Sequence, residues 1–116
     1  MSIDFTGHCA YPIEEAHARI AYLRRTRPDW FFDMMHLTDA HDLGPFGHEI
    51  AEEFGIDAKC AFSLHLLNSD WVEHTGPAVE YIYQVFGTER LVITYGTDSI
   101  RKPEREYVAM KVDLLI

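Results

Sequence analysis

The spacing of apolar and polar residues along the chain predicts three helices and five strands. Apolar residues at intervals of three or four positions predict helices over 12–27, 45–54 and 77–86, bounded by prolines and glycines, with Thr75 or Gly76 as the cap of the third. Apolar runs of strand length predict strands over 2–10, 31–37, 59–68, 90–96 and 106–115, with loops at 38–44 and 68–76. The run 30–37 is apolar at nearly every position and also fits a helical turn. A strand is preferred there because two consecutive helices would leave the sheet short.

This order of elements predicts an α+β (α/β-like) fold, with one mixed β-sheet of about five strands and about three helices packed on it. The chain has 116 residues, of which 47% are apolar, and this suits a single domain over 1–116. Its apolar runs are far shorter than the roughly 20 residues that cross a bilayer, and no signal peptide opens the chain. The two cysteines, Cys9 and Cys60, form no disulfide framework, so we expect a cytoplasmic protein with reduced thiols.

Charge is distributed unevenly along the chain. The formal net charge is −9, from 19 Asp and Glu against 10 Lys and Arg. Residues 28–89 hold twelve acids and a single base, Lys59, for −11, whereas the segments before and after each carry +1. Binding to phosphates requires a basic surface, so nucleic acid is not expected as a direct partner. A basic protein surface is favoured instead, because opposite potentials speed and select association. Solubility explains the acidity itself, but not its segregation.

Two acidic clusters follow from the predicted elements. The first acidic cluster lies on the outer face of the helix 45–54 and in the flanking loops, and consists of Asp39, Asp42, Glu49, Glu52, Glu53 and Asp57. The second acidic cluster lies in the loop 68–76 and consists of Asp70, Trp71 and Glu73. An acid beside an aromatic residue suits an interface anchor. A solvated helix face explains the glutamates equally well, and Trp71 also fits a residue that caps the core.

Seven histidines invite a metal-site interpretation. His36, His41 and His48 lie close in sequence with acids between them, and zinc and iron sites use such ligands. Their spacing matches no helical i, i+4 ligand pair, and neither H-E-x-x-H nor C-x-x-C occurs. We therefore expect no metal and no cofactor here.

The sequence also lacks the usual patterns of nucleophilic catalysis. Cys9 and Cys60 belong to no thiolate-stabilising signature and are expected to be buried and inert. Ser63 and Ser99 lack a G-x-S-x-G nucleophile elbow, and no glycine-rich loop is placed to hold phosphate. No catalytic residue is predicted.

Several segments of the chain occur in the same order in a known family. They are MSIDF (1–5), the region 39–42, EIAEEFGI (49–56), AFSLHL (61–66), the helix end FG (86–87) and the strand LVIT (91–94). In these segments, over roughly residues 1–101, the chain resembles immunity proteins of bacterial contact-dependent growth inhibition systems. Many of the matching positions are core residues, and no catalytic motif is among them.

The resemblance implies a protein that is not an enzyme. Such a protein binds the toxic C-terminal domain of a large surface-delivered toxin, commonly a nuclease, and blocks its active site or its substrate-binding surface. A nuclease must be basic to hold its nucleic acid, so an acidic inhibitor competes for that surface. Interfaces in the family vary with the toxin, so the candidate toxin-binding residues are drawn from the two acidic clusters alone.

Two other functions stay open at this point. One is a small metal-binding enzyme or ligand-binding protein that uses His36, His41 and His48. The other is a regulatory subunit whose acidic face or exposed sheet edge binds some other protein. Neither alternative, nor the immunity function, involves a membrane.

Overall fold

Five strands, two long helices and two short helical turns make up the part of the chain that the structure describes. A computed structural model describes residues 4–43, 48, 49, 51, 52 and 55–95. The strands are β1 (Asp4–Cys9), β2 (Met35–Leu37), β3 (His41–Asp42), β4 (Cys60–Leu66) and β5 (Leu91–Tyr95). The helices are α1 (Ile13–Thr26), α2 (Thr75–Phe86), a π-helical turn (Asp29–Met34) and a 3-10 helix (Ser69–His74), and residues 48, 49, 51 and 52 are also helical. The predicted α+β class is confirmed.

The strands form one sheet in the order β2-β4-β1-β5, and β3 lies beside β2 along the same side of β4. Every described pairing is antiparallel, so the predicted mixed sheet is wrong in this respect. The prediction assumed that strands joined by a helix become neighbours and therefore pair in parallel. Here another strand lies between them. The predicted strand over 106–115 lies outside the described residues.

The strand order amounts to two interlocked split β-α-β units. β1 and β2, which α1 joins, are both antiparallel to β4 and therefore point the same way with β4 between them. β4 and β5, which α2 joins, are both antiparallel to β1 and enclose it in turn. This is the ferredoxin-like topology. β3 and the residues around it are an addition to that topology, because they lengthen the connection from β2 to β4.

The large core lies between one face of the sheet and helices α1 and α2. Successive residues of a strand point to opposite faces. Leu91 and Ile93 of β5 therefore face this core, together with Phe62 of β4 and Phe86 of α2. Val92, which lies between them in sequence, faces the other side of the sheet. The helices thus cover only one face, and the other face is free to carry the added connection.

Helix α1 forms for the reasons that the sequence gives. Ala16, Ile20 and Leu23 are its buried residues, and they lie three or four positions apart. Acids occupy its first turn and arginines its last, which suits the helix dipole at both ends. The helix ends at Thr26, just before Pro28, and confirms the predicted bounds.

Three predicted boundaries differ from the structure. Residues 29–34 form a π-helical turn and only Met35–Leu37 is a strand, so the helical interpretation of this apolar run applies to most of it. The predicted loop 38–44 contains β3, and the predicted loop 68–76 contains the 3-10 helix that runs directly into α2. Thr75 does not cap α2 as expected, because its hydroxyl donates to the carbonyl oxygen of Val72 at 2.7 Å. In the described part of the chain, no helix is long and apolar enough to cross a membrane.

Candidate functional site

The first acidic cluster lies on the added connection between β2 and β4. Residues 48, 49, 51 and 52 are helical, as predicted for 45–54, and the other residues of that predicted helix lie outside the described part. Ala51, Ile56 and Ala58 pack against Val92 of β5 in a small second core. These four apolar side chains hold the connection on the sheet face opposite α1 and α2. Glu52 and Asp57, which lie between them in sequence, are exposed.

Most carboxylates of the first acidic cluster are exposed. Asp42 on β3, Glu49 and Glu52 on the helical residues, and Asp57 before β4 all have exposed side chains. Among the described residues, none of these four forms an ion pair. Glu53 lies outside the described residues. The four exposed carboxylates therefore contribute unneutralised negative charge to the surface of this connection.

Asp39 differs from the other members of the cluster because it has a basic partner. The Arg24 guanidinium of α1 donates to its Oδ1 at 2.9 Å, and also to the carbonyl oxygen of Leu37 at 2.6 Å. The Asp39 side chain is 74% exposed, so the pair is well solvated and its strength is modest. Its carboxylate is nevertheless partly neutralised, and we expect Asp39 to contribute less to a basic partner than Asp42 or Asp57.

The second acidic cluster lies on the 3-10 helix that precedes α2. The Asn68 side chain begins this helix by accepting the backbone N–H of Asp70 at 2.9 Å. Asp70 and Glu73 are exposed, and the Glu73 carboxylate is 3.9 Å from His74. Trp71 is half-buried, so part of its ring packs against the protein itself. The acids of this cluster are available to a partner, whereas Trp71 is available only in part.

The two clusters lie toward opposite ends of β4. Asp42 is paired with Cys60 at the start of this strand, and the 3-10 helix begins shortly after Leu66 at its end. Six residue steps in a strand span about 20 Å. A standard interface covers about 800 Å² on each partner and is therefore about 30 Å across. An interface of this width spans the length of β4 that separates the two clusters.

The histidines named as metal candidates do not converge. His36 stacks on His65 of β4, with ring centroids 6.1 Å apart, and the His65 ring is 2.5 Å from the Asp4 carboxylate. The Nδ1–H of His41 on β3 donates to the Asp42 carbonyl oxygen at 3.1 Å, while His48 is exposed on the helical residues. No three His, Cys, Asp or Glu side chains in the described part of the chain are placed to hold a metal ion.

The two thiols are buried opposite one another, as the sequence led us to expect of inert cysteines. Cys9 and Cys60 are register partners on β1 and β4, and both are free thiols. Burial raises the pKa of the Cys9 thiol to about 12 and also raises the pKa of Cys60. Both therefore stay protonated at neutral pH, which makes them poor nucleophiles.

One buried histidine was not singled out by the sequence. His8 is only 4% exposed, and neither of its ring nitrogens has a hydrogen-bond partner. Burial lowers its pKa to about 4, so the ring is neutral at physiological pH. His8 lies on the sheet face that the first acidic cluster covers, because its register partners are Ala61 and Val92.

The exposed apolar residues Phe32, Leu67 and Val72 were also missed. Phe32 and Leu67 belong to apolar runs that the sequence assigns to buried elements, and the π-helical turn and the end of β4 leave them on the surface. Val72 lies in the predicted loop 68–76, and the 3-10 helix found there leaves it exposed.

The described part of the chain is a split β-α-β sheet whose added connection carries exposed acids. The family model of the CDI System Immunity Component matches residues 1–99. The chain belongs to this family and is an immunity protein of a contact-dependent growth inhibition toxin–immunity system. The resemblance drawn from its segments is thereby confirmed.

A solved structure has the same fold. It is described as a CdiA-CT/CdiI toxin and immunity complex from Burkholderia pseudomallei. The match has a TM-score of 0.76 at 17% sequence identity, and covers 80% of this chain and 90% of that chain. No curated protein sequence matches the chain. At this identity the likeness establishes a shared fold, and the positions that bind a toxin cannot be transferred from it.

Proposed function

We propose that this protein binds the toxic C-terminal domain of its cognate contact-dependent growth inhibition toxin and neutralises it through the two acidic clusters. The toxin domain is a basic nuclease, and the acidic surface occupies the region that would otherwise hold nucleic acid. The protein acts as an inhibitor in the cytoplasm of the cell that makes it, and it catalyses no reaction.

The observation that carries this proposal is the concentration of exposed, unneutralised acid on the connection between β2 and β4. Asp42, Glu49, Glu52 and Asp57 are exposed without an ion pair in the described part of the chain, and residues 28–89 contain only one base. Nucleic acid is polyanionic, so a nuclease presents Lys and Arg where it binds its substrate. An acidic surface complements that region, and the attraction accelerates encounter. The solved toxin and immunity complex of the same fold provides independent support for a toxin as partner.

Co-purification with the toxin domain tests the proposal. The chain is expressed together with the C-terminal domain encoded by the neighbouring toxin gene, and the mixture is separated by size exclusion at low and high salt. We expect a one-to-one complex in which the nuclease activity is lost. Separate elution at both salt concentrations, with toxicity unrelieved in cells, would contradict the proposal.

Charge reversal tests whether the first acidic cluster is the contact. Glu49→Lys combined with Glu52→Lys is expected to slow association and to weaken its salt dependence, because steering by opposite charge acts mainly on the on-rate. Glu80→Lys is the matched control, since Glu80 lies on α2 at the opposite face of the sheet. If the paired reversal and the control associate with the toxin at the same rate, the first acidic cluster is not the contact surface.

A further inference from the structure

Three large apolar side chains are exposed near the end of β4. Phe32 is 59% exposed, Leu67 56% and Val72 39%. A single exposed apolar residue is ordinary on a protein surface, whereas several that lie together mark an interaction site. We refer to these three residues as the apolar patch.

Backbone contacts bring the three residues to one end of the sheet. The N–H of Leu67 donates to the carbonyl oxygen of Met34 at 3.1 Å. Met34 ends the π-helical turn that carries Phe32, so Leu67 lies beside that turn. The 3-10 helix that carries Val72 begins two residues after Leu67. All three residues therefore lie on segments that meet where β4 ends.

The segments that carry the apolar patch are acidic. The same segments carry the exposed carboxylates Asp33, Asp70 and Glu73. No Lys or Arg occurs in residues 28–58 or 60–89, and the guanidinium of Arg27, which precedes the π-helical turn, is paired with Asp29 at 2.8 Å. An apolar centre with a charged rim is the usual anatomy of a protein interface. The sign of this rim selects a basic partner.

We propose that the apolar patch is a second contact for the toxin domain. An apolar side chain of the toxin, which Lys or Arg residues of the toxin surround, docks on the patch. This inference rests on the proposed function and adds the part of the interface that slows dissociation. It also replaces Trp71 as the anchor of the second acidic cluster, because the half-buried Trp71 offers less free surface than Phe32 or Leu67. Side chains that are fully desolvated at the centre of an interface account for most of its binding energy, whereas rim charges act mainly on the on-rate.

The test replaces the exposed apolar side chains and measures binding kinetics against the toxin domain recovered from the co-purified complex. Phe32→Ser combined with Leu67→Ser is expected to weaken binding at least tenfold, mainly through faster dissociation, and to do so equally at low and high salt. Leu67→Lys is a second variant, which places a positive charge against a basic partner and is expected to weaken binding further. Tyr22→Ser is the matched control, because Tyr22 is 43% exposed on α1 and lies outside the patch.

The outcomes separate this inference from the proposed function. If the unmodified protein does not bind the toxin, the proposed function fails. If the unmodified protein binds but the serine and lysine variants dissociate as slowly as it does, the apolar patch is not a toxin contact and the proposed function stands.

The inference is also overturned if Tyr22→Ser weakens binding equally. The inference also fails if the patch joins two copies of this chain instead. In that case the unmodified protein is a dimer, and the serine variant is a monomer whose affinity for the toxin is unchanged. Thermal unfolding confirms that each variant is folded before its kinetics are compared.

Discussion

The ring of Phe62 lies directly over the backbone of Gly7, its register partner on the neighbouring strand. A methyl group added at Gly7 would be 2.5 Å from the ring carbon Cζ and less than 3 Å from both Cε atoms. The ring is 1% exposed and stacks on Phe86 of α2, with centroids 5.2 Å apart. The absence of a side chain at Gly7 thus allows Phe62 to connect the middle of the sheet to the helix layer.

Gly7→Ala is expected to destabilise the fold. The methyl group would force the buried Phe62 ring out of its position, and overpacking of this kind costs about 1–3 kcal/mol of unfolding free energy. The lower entropy of alanine in the unfolded chain offsets only about 0.4–1 kcal/mol of that cost. Urea denaturation of the variant and the unmodified protein measures the difference.

A double-mutant cycle with Phe62→Leu identifies the cause. Leucine lacks the ring atoms that meet the added methyl group, so Gly7→Ala should cost much less in the Phe62→Leu background than in the unmodified protein. Equal costs in the two backgrounds would mean that the ring is not what opposes a side chain at position 7.

Acid is expected to destabilise the protein through His8. The folded protein keeps His8 neutral down to a pKa of about 4, whereas the unfolded chain takes up a proton near pH 6.5. Above pH 6.5 the ring is neutral in both states, and the unfolding free energy has its full value. As the pH falls from 6.5 towards 4, only the unfolded chain takes up the proton, so the unfolding free energy decreases. The full loss amounts to about 3 kcal/mol of unfolding free energy. Urea denaturation at a series of pH values over this range measures it.

His8→Met isolates this contribution from the carboxylates that titrate in the same range. The variant should unfold with a flatter pH dependence between 6.5 and 4. At neutral pH it should be as stable as the unmodified protein or more so, because two buried nitrogens without partners are removed. Identical slopes for His8→Met and the unmodified protein would contradict the prediction.

The thiols of Cys9 and Cys60 are expected to be unreactive while the protein is folded. Both are fully buried and protonated at neutral pH, and the thiolate is the reactive form. A chromogenic disulfide reagent at pH 8 should therefore label neither thiol in native buffer and both in concentrated urea. Rapid labelling of the native protein would show that β1 and β4 separate readily at this register pair.

Arg24 is expected to support the fold more than its neighbour Arg25 does. The Arg24 guanidinium joins α1 to the Leu37 carbonyl and to Asp39, whereas Arg25 is exposed above the Tyr22 ring. Arg24→Gln should lower the unfolding free energy by about 1 kcal/mol, while Arg25→Gln should change it by less than about 0.5 kcal/mol. Chemical denaturation of the two variants gives the comparison. Equal effects would indicate that the Arg24 contacts contribute no net stability.

Elements with a clear period and clear ends were predictable from the sequence. Helix α1 has its apolar stripe, its charged ends and Pro28, and all of these agree with the structure. The run 30–37 has no period, so its conformation depends on tertiary contacts. Trp30 packs edge-on against Tyr81 of α2 with the Arg27 guanidinium over its ring, and these contacts favour a helical turn that no local pattern specifies.

Strand neighbours were not predictable in the same way. The sequence indicates which residues form strands, but the order β2-β4-β1-β5 depends on how distant segments pack together. The exposure of Asp42, Glu49, Glu52 and Asp57 agrees with the predicted acidic surface, and whether these residues bind the toxin stays a prediction. The Arg24–Asp39 pair could not be foreseen, because it joins residues of different elements.

The central position of β1 has a consequence for the time at which the protein becomes active. β1 is translated before any other described strand, yet its two neighbours in the sheet are β4 and β5. Sheets built from distant pairings fold slowly, and at ordinary rates of synthesis β5 leaves the ribosome on the order of 10 s after β1. β1 has no neighbour until β4 emerges, and its second edge stays unpaired until β5 follows. A cell that depends on this protein is therefore protected by the copies that it made before the toxin arrives.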